Sequence, residues 1–174
     1  VRTTPEAIEL QKTFRQMLDG GDEACAMEVS SHALTLHRAD AIHFEVAIFT
    51  NLTQDHLDFH TDMEDYFLAK RRLFDGPGES VVNVDDPYGR RLPDSLQGPV
   101  TFAVDSEADF RARDVRFDMA GPSFTVETPD GPLRMTTPLP GLFNVRNALA
   151  GLATARALGV DGDARGLGRA RAGG

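Results

Sequence analysis

A lysine inside an apolar helical stripe is the first indication of chemistry in this chain. The stripe repeats at helical spacing and consists of Met63, Tyr66, Phe67, Leu73 and Phe74. Lys70 lies three residues after Phe67 and four before Phe74, so we expect its side chain to point at the core. Burial disfavours the charged ammonium and lowers the lysine pKa, which leaves an amine that can act as a nucleophile or react with carbon dioxide. The alternative is a lysine whose stem packs on the core while its ammonium reaches water.

A dense group of side chains that can bind metal ions follows the second predicted strand, which covers residues 45–52. It consists of Asp55, His56, Asp58 and His60. Such a set suits magnesium or manganese where carboxylates dominate and zinc where histidines dominate. The alternative is that these side chains are ordinary loop residues, which cap turns and helices and are exposed to solvent. Glu28 at the end of the first predicted strand and the buried Lys70 favour a divalent-cation site over solvated caps.

The first predicted helix begins at Thr4 and Pro5 and stops at Gly20. Its apolar stripe is Leu10, Phe14, Met17 and Leu18. Thr3 and Thr4 would cap this helix, but a helix amino terminus with spare hydroxyls is also an anion site. No strand leads into the helix, so we expect residues upstream of it to be missing from this sequence.

Two serines follow the first predicted strand. Ser30 and Ser31 precede His32, an order that invites comparison with a hydrolase. No G-x-S-x-G motif surrounds them, however, so the strained turn that such a nucleophile needs is not supplied. Capping and polar contacts are the favoured roles.

Two asparagines lie on one face of an alanine-rich helix predicted over residues 141–160. Asn144 lies near the helix start, where it could be a cap. Asn147 follows one turn later and has no capping role. Paired amides at a helix start could read the hydrogen-bonding edge of a base or hold a substrate carbonyl.

An α/β fold is predicted to position these side chains. The apolar runs typical of strands, which alternate with helices or loops as in βαβ winding, are residues 24–29, 45–52, 80–84 and 100–104. Ligands of parallel sheets bind beyond the carboxyl ends of the strands, which is where Glu28, Ser30 and Asn51 lie. Hairpin signals between Asp109 and Pro138 predict a small antiparallel sheet packed beside the main one.

Composition limits the classes of protein that the chain can belong to. Its 174 residues are 41% hydrophobic and can bury one substantial core. The formal net charge of −9 argues against non-specific binding to nucleic acid or anionic membranes. There is no bilayer-spanning run or signal-like start, and Cys25 alone permits no intrachain disulfide, so we expect a cytoplasmic protein. Residues 161–174 are rich in glycine and arginine and are interpreted as a frayed or truncated tail.

Several motifs in register carry a resemblance to a known family. In chain order they are TTPEAIELQ, AMEVSSHAL, HR, FTNLTQDHLDFH, MEDYFLAKRRLF, NVDDP and GLFNVRNALA. Together they resemble the central domain of the Mur ligases, and within that family the branch that adds the third amino acid of the peptidoglycan stem peptide. The resemblance covers the chain up to about Val160. It implies a P-loop-type parallel sheet flanked by helices, with a small antiparallel sheet.

The resemblance also implies roles for individual residues. Glu28 and His56 match the magnesium ligands of the family, and Lys70 matches a lysine whose carbamate helps to hold a second magnesium ion. The residues that match contacts to the UDP-muramoyl dipeptide are Thr3, Thr4, Ser30 and Arg38, and those near the adenine are Asn144 and Asn147. Leu36 stands where some relatives have a glutamine, which puts one polar substrate contact in doubt.

The activity implied is ATP-dependent amide formation with Mg²⁺, on UDP-N-acetylmuramoyl-L-alanyl-D-glutamate and a diamino acid, either meso-diaminopimelate or L-lysine. We expect a monomer whose central ATPase and substrate-binding domain spans residues 1–160. The sequence contains no G-x-x-x-x-G-K-[ST], so we expect a fragment that lacks the phosphate loop and does not turn over alone. The alternatives are another Mur ligase, a folylpolyglutamate synthetase-like ligase, or a non-catalytic nucleotide-sugar-binding remnant.

Overall fold

The computed structural model describes residues 3–53 and 59–160, which fall into two compact units. The first unit takes its residues from Val1–Phe44 and Gln54–Pro77, and the second from Glu45–Thr53 and Gly78–Gly174. The chain therefore leaves the first unit, enters the second, and returns before it crosses a final time. No helix in the described part of the chain is long and apolar enough to cross a membrane.

The described part of the first unit is helical. Its helices are α1 (Ala7–Gly20), α2 (Ser31–Thr35) and α3 (Met63–Arg71), and α3 continues into a 3-10 turn over Arg72–Phe74. The predicted stop of α1 is confirmed, because Gly21 follows in the left-handed conformation at φ 87°. In α3 the predicted stripe is also confirmed: Tyr66, Phe67 and Phe74 are buried.

The start of α1 differs from the prediction. Glu6 is the N-cap, and it forms a reciprocal capping box with Glu9. Thr4 lies two residues earlier and is only 1% exposed. Its hydroxyl makes hydrogen bonds to a distant segment instead of capping α1, so the prediction that Thr4 caps this helix was wrong.

The predicted strand over residues 24–29 was also wrong. Within the described residues this segment has no ladder partner, and Ala24, Cys25 and Ala26 are exposed. An extended segment becomes a strand only where a neighbour supplies the hydrogen bonds. Only the end of the segment is buried, where Val29 packs with Leu34 and Ala39 in a small core.

A six-stranded mixed sheet forms the second unit. Its strands lie in the order of the chain and are β1 (Val46–Phe49), β2 (Glu79–Asn83), β3 (Val100–Ala103), β4 (Phe110–Asp118), β5 (Gly121–Glu127) and β6 (Leu133–Thr136). The first four strands are parallel and the last three form an antiparallel meander. Three predicted strands are confirmed as β1, β2 and β3.

The antiparallel strands exist as predicted, but they do not form a separate sheet packed beside the main one. β4 pairs with β3 in parallel, with Phe102 opposite Phe110, and with β5 in antiparallel. One strand therefore joins both halves into a continuous sheet. Hairpin signals in a sequence identify the turns between antiparallel strands. They do not identify the further strand, here β3, with which the first strand of the hairpin also pairs.

Helix α4 (Leu142–Ala157) supplies the helical side of the core in this unit. Val145 and Leu149 are fully buried, and they pack with Val81, Phe102 and Val126 of the sheet. Because the amino end of α4 follows the meander directly, its first turn carries Asn144 and the residues around it. This turn forms part of a polar cavity.

Candidate functional site

Lys70 lies at the end of α3 and is only partly accessible to solvent. Its Nζ donates a hydrogen bond to the main-chain oxygen of Val29 at 3.3 Å. Burial lowers the pKa of Lys70 below its usual value of 10.5, and the carboxylate of Glu28 offsets only part of that effect. Two of the predicted site residues, Glu28 and Lys70, thus act on each other electrostatically.

A hydroxyl clamp fixes the backbone beside Glu28. The Oγ1 of Thr4 donates to the main-chain oxygen of Glu28 at 3.0 Å and accepts from the main-chain nitrogen of Ser30, also at 3.0 Å. The Ser30 hydroxyl in turn accepts from the nitrogen of Ala33 at 3.2 Å and caps α2. The backbone around Glu28 is therefore held while Glu28 itself stays exposed.

Arg38 has a buried guanidinium that contacts the segment before α1. Its side chain is 9% exposed, and Nη2 lies 2.9 Å from Oε1 of Glu6 while Nη1 donates to the main-chain oxygen of Thr4 at 3.4 Å. Nε has no hydrogen-bond partner among the described residues. A buried donor without a partner is uncommon in proteins, and the buried Nε atoms of Arg111 and Arg146 share this feature. Thr3 and Leu36, by contrast, are exposed.

His60 is a structural residue instead of the metal ligand that the sequence suggested. It is 4% exposed, and its two ring nitrogens lie 2.8 Å from Oγ of Ser31 and 3.3 Å from Oδ2 of Asp65. Its ring stacks on Tyr66. Both nitrogens are thus occupied, and Ser31, at 2% exposed, is too buried to be a nucleophile.

The rest of the predicted ligand group falls on residues 54–58, so Asp55, His56 and Asp58 lie outside the described residues. Within the described ranges, no group of three or more histidine, cysteine, aspartate or glutamate side chains could hold a metal ion. Among the described residues, Glu28 is the carboxylate whose charge acts on Lys70.

In the second unit, the two predicted asparagines form a hydrogen-bonded pair. Asn144 is 8% exposed, and its Nδ2 donates to the main-chain oxygen of Pro140 at 2.7 Å. Nδ2 of Asn147 donates to Oδ1 of Asn144 at 3.3 Å. Gly141 occupies the N-cap position of α4, so Asn144 is not the cap of this helix.

A cavity of about 380 Å³ opens beside Asn147. Small-molecule sites measure about 300–1,000 Å³, so a nucleoside-sized ligand suits it. Its wall is made of amides, hydroxyls, carboxylates, an arginine and two aromatic rings: Thr50, Asn51, Thr53, Asn83, Asp85, Asp86, Pro87, Phe102, Phe143, Arg146 and Asn147. Asn51 was predicted at a strand end, whereas Phe143 and Arg146 were missed. The signal in the sequence was their position, because Phe143 lies four residues before Asn147 and Arg146 lies one residue before it.

The two aspartates of this cavity organise its loops. Asp85 accepts hydrogen bonds from the main-chain nitrogens of Val104, Asp105 and Ser106, at 2.7, 3.1 and 2.8 Å. Burial alone would raise the pKa of Asp85, but these hydrogen bonds together outweigh it and lower the pKa below its usual value of 3.8. Asp86 also holds a loop, because its Oδ2 accepts a hydrogen bond from the main-chain nitrogen of Leu52 at 3.0 Å.

An arginine connects this loop system to α4. Nη2 of Arg146 lies 3.4 Å from Oδ2 of Asp105, and Nε lies 3.8 Å from Oδ2 of Asp85. Gly141 precedes the helix with φ 97°, and a Cβ there would lie 2.7 Å from the ring of Phe143. The ring of Phe143 is 64% exposed and supplies an aromatic face at the cavity wall.

The second unit, a mixed sheet with α4 packed on it and polar groups at the carboxyl ends of its parallel strands, has the architecture typical of α/β ligand-binding domains. Residues 1–155 match the family model of the Mur ligase middle domain, so the chain belongs to the Mur ligase middle domain family. The predicted family and fold class are confirmed.

Curated relatives extend well beyond this chain. A UDP-N-acetylmuramoyl-L-alanyl-D-glutamate--2,6-diaminopimelate ligase of Clostridioides difficile (strain 630) is 46% identical over 163 residues, which are 91% of this chain and 34% of the relative. A protein of the same name from Streptomyces coelicolor is 49% identical over 167 residues, 92% of this chain and 33% of the relative. The chain thus spans about a third of the length of these relatives.

Solved structures agree with the fold. A structure of a UDP-N-acetylmuramoyl-L-alanyl-D-glutamate--2,6-diaminopimelate ligase superposes with a TM-score of 0.85 at 31% identity, and covers 91% of this chain and 34% of its own. A MurF ligase from Thermotoga maritima in complex with ADP has a TM-score of 0.67 at 20% identity, over 83% of this chain and 34% of its own. The second similarity is one of fold.

Proposed function

We propose that this chain is the substrate-side part of an ATP-dependent ligase that joins 2,6-diaminopimelate to UDP-N-acetylmuramoyl-L-alanyl-D-glutamate in peptidoglycan synthesis. The observation that carries the proposal is the similarity over more than nine-tenths of the chain to ligases named for this reaction. The partly buried Lys70 and the cavity lined by amides are consistent with it. Relatives named for diaminopimelate favour that amine over L-lysine, which the sequence alone left open.

The reaction is the formation of an amide through an acyl phosphate. The γ-phosphoryl group of ATP passes to the terminal carboxylate of the dipeptide, and ADP leaves. The amine of the diamino acid then attacks the acyl carbon, and phosphate leaves as the amide forms and the amine loses a proton. Both steps bring anionic or electron-rich groups together, so their positioning and charge stabilisation dominate catalysis.

Substrate binding is assigned to the first unit. Thr3, Thr4, Ser30 and Arg38 are proposed to contact the UDP-muramoyl dipeptide. The support for Arg38 is its position, because its guanidinium contacts Glu6 and the main-chain oxygen of Thr4, whose hydroxyl is bonded to the backbone of Glu28. The Thr4 hydroxyl already holds the backbone beside Glu28, and the Ser30 hydroxyl caps α2, so the contribution of these residues would be to shape the site as well as to contact the ligand.

Magnesium fits the donor chemistry near Lys70. The residues proposed to hold it are Glu28, His56 and a carbamylated Lys70. A neutral Lys70 amine can add to carbon dioxide and lose a proton, which replaces an ammonium by an anionic oxygen donor of the kind Mg²⁺ prefers. The lowered pKa of Lys70 supports the first requirement, and the exposed carboxylate of Glu28 supplies a second oxygen donor. The bound ion would offset the repulsion between phosphate and carboxylate oxygens.

ATP is assigned to the second unit, where Asn144 and Asn147 are proposed to hold the adenine. Because this sequence contains no G-x-x-x-x-G-K-[ST], we propose that the ATP phosphates are held by residues outside it. We further propose that residues 1–160 are the central domain, and that the complete protein is a cytoplasmic monomer that acts on neither nucleic acid nor membranes.

The test is an assay of the complete protein for phosphate release with ATP, Mg²⁺ and UDP-N-acetylmuramoyl-L-alanyl-D-glutamate. Release that requires diaminopimelate and is absent with L-lysine supports the proposal, while the reverse preference changes the amine. Turnover only with a folate and glutamate would assign the sibling ligase. No turnover with any acceptor, together with retained binding of the nucleotide sugar, would leave the non-catalytic binding remnant as the function.

A further inference from the structure

The guanidinium of Arg38 is held at two of its nitrogens by the segment before α1. Nη2 lies 2.9 Å from Oε1 of Glu6, and Nη1 donates to the main-chain oxygen of Thr4 at 3.4 Å. A guanidinium is planar and rigid, so contacts to two of its nitrogens fix the direction in which the whole group faces. The orientation of Arg38 is therefore set by a segment more than thirty residues earlier in the chain.

The two anchors of Arg38 lie on either side of a proline. The ring of Pro5 fixes its own φ and restricts the backbone of Thr4 before it. The hydroxyl of Thr4 in turn donates to the main-chain oxygen of Glu28 at 3.0 Å. Residues 4–6 therefore form a stiff support that is fastened to the segment carrying Glu28.

Glu6 is an unusual residue for the position that it occupies. It is the N-cap of α1, where asparagine, aspartate and serine are preferred because their short side chains reach the first amides of the helix. Glutamate has one methylene more and loses more rotamer freedom when it is held in place. Capping alone therefore does not explain a glutamate here, whereas the additional methylene carries the carboxylate to within 2.9 Å of Arg38.

The exposure of the two partners shows which of them depends on the contact. The side chain of Arg38 is 9% exposed, whereas that of Glu6 is 47% exposed. Removing an exposed member of an ion pair costs little when its partner is also in water, but it costs more when the partner is a nearly buried cation. Arg38 is thus the member whose placement relies on Glu6.

We propose that Glu6 is a positioning residue for the UDP-muramoyl dipeptide: it holds the guanidinium of Arg38 in the orientation that binds an anionic group of this substrate. Glu6 acts through Arg38. The inference rests on the proposed function, which assigns the substrate contact to Arg38. Capping and positioning depend on different features of the Glu6 side chain, because capping needs an acceptor at the start of α1 and positioning needs the reach of a glutamate.

The experiment measures KM and kcat of the complete protein for UDP-N-acetylmuramoyl-L-alanyl-D-glutamate, together with its unfolding by urea. Glu6→Asp keeps a carboxylate at the N-cap but withdraws it by about 1.5 Å, the length of one carbon–carbon bond, which takes it out of hydrogen-bond distance of Arg38. We expect KM to rise about tenfold or more, with kcat nearly unchanged and the stability retained, since aspartate is a preferred cap. A KM equal to that of the wild type would overturn the inference.

Glu9→Ala is the matched control, because it weakens the cap and keeps the side chain of Glu6. Oε2 of Glu9 accepts from the main-chain nitrogen of Glu6 at 3.3 Å, so the substitution removes one half of the capping box. It should lower the free energy of unfolding and leave KM unchanged. A rise in KM as large as that in Glu6→Asp would show that KM follows the stability of α1, and would contradict the positioning role.

Glu6→Gln is the conservative variant. It keeps the length of the side chain and an oxygen that can accept from Nη2 of Arg38, so KM should rise less than in Glu6→Asp. A KM below that of the wild type in either variant would overturn the inference, because Glu6 would then compete with the anionic substrate for Arg38.

Binding of this nucleotide sugar, measured by titration calorimetry, and ligase turnover are separate readouts. Binding that weakens in Glu6→Asp but not in Glu9→Ala, in a protein without ligase activity, would retain this inference and reject the proposed function. Ligase activity with an unchanged KM in Glu6→Asp would do the reverse. A wild-type protein that neither binds nor turns over the nucleotide sugar would overturn both.

Discussion

Lys70 donates a hydrogen bond from Nζ to the main-chain oxygen of Val29, 3.3 Å away. Val29 directly follows Glu28, so this bond fixes the end of α3 to the segment that carries the acidic residue. The carbonyl accepts from one of the three N–H donors that an ammonium would carry. The arrangement holds the Lys70 amine beside Glu28, and burial lowers the pKa of that amine below its usual value.

Replacing Lys70 by alanine in the complete protein should abolish ligation, because no carbamate can form. Acetate or formate added at high concentration should restore part of the activity by supplying the missing carboxylate-like oxygen. The measurement is phosphate release with and without the added acid. Lys70→Arg is the matched variant, since it keeps a cation but cannot be carbamylated, and it should also be inactive. Full activity in either variant would remove Lys70 from the mechanism.

The lowered pKa of Lys70 predicts a stability that rises with pH. Between the lowered folded pKa and the usual 10.5, the unfolded chain binds more protons at this site than the folded chain. The free energy of unfolding therefore increases as pH rises through that window. Urea unfolding of the chain in buffers free of carbon dioxide should show this slope, and Lys70→Met should lack that part of it. Identical slopes in both proteins would contradict the burial effect.

Glu28→Ala should weaken the response of ligation to magnesium. Because the exposed carboxylate is proposed to supply one of the metal's oxygen donors, the magnesium concentration for half-maximal activity should rise about tenfold or more. The measurement is a magnesium titration of phosphate release. Glu23→Ala removes another exposed acid five residues earlier and should not shift the titration. A Glu28→Ala titration that overlays the wild type would exclude it as a ligand.

Asp85→Asn should destabilise the chain by about 2 kcal/mol or more, because three main-chain nitrogens lose a charged acceptor and one amide NH₂ must face them. The folded pKa of Asp85 is lowered, so its contribution is present above 3.8 and is lost as pH falls through the lowered value. Urea unfolding of both proteins should thus show a gap that narrows below about pH 3.8. A gap that stays constant into that range would contradict the assignment.

Ser31 and His60 should be energetically coupled. Their side chains are buried and 2.8 Å apart, so removing either leaves the other without its partner. In a double-mutant cycle of Ser31→Ala and His60→Ala, the coupling free energy should be about 1 kcal/mol. His43→Ala, at an exposed histidine of the same unit, serves as the uncoupled control. Additive effects of the first pair would show that the contact contributes nothing.

The sequence predicted the structure best where a single pattern of apolar side chains was enough to identify an element. Strands β1, β2 and β3, the buried stripe of α3 and the partly buried Lys70 within it all follow from the pattern of apolar residues, which reports burial directly. Residues 24–29 have a similar apolar content yet form no strand among the described residues. Whether such a segment becomes a strand depends on a neighbour that its own residues do not encode.

The sequence did not predict which groups would be partners in hydrogen bonds. His60 has the residue type of a metal ligand, and only its contacts with Ser31 and Asp65 identify it as a buried structural residue. The orientation of Asn147 depends on a main-chain carbonyl at Pro140, a group that every residue has. Residue types therefore indicated where the polar groups gather but not which atoms they present.

The junction at β4 has a consequence for how the second unit folds. On its antiparallel side, Asp118 pairs with Gly121 only three residues away, whereas at the far edge Val46 pairs with Glu79, 33 residues along the chain. Short loops close at a lower entropic cost, so the hairpins should assemble before the parallel edge does. Substitutions in β5 should then slow folding, while those in β1 should mainly accelerate unfolding. The parallel edge is consequently the region where the kinetic lifetime of the native state is set.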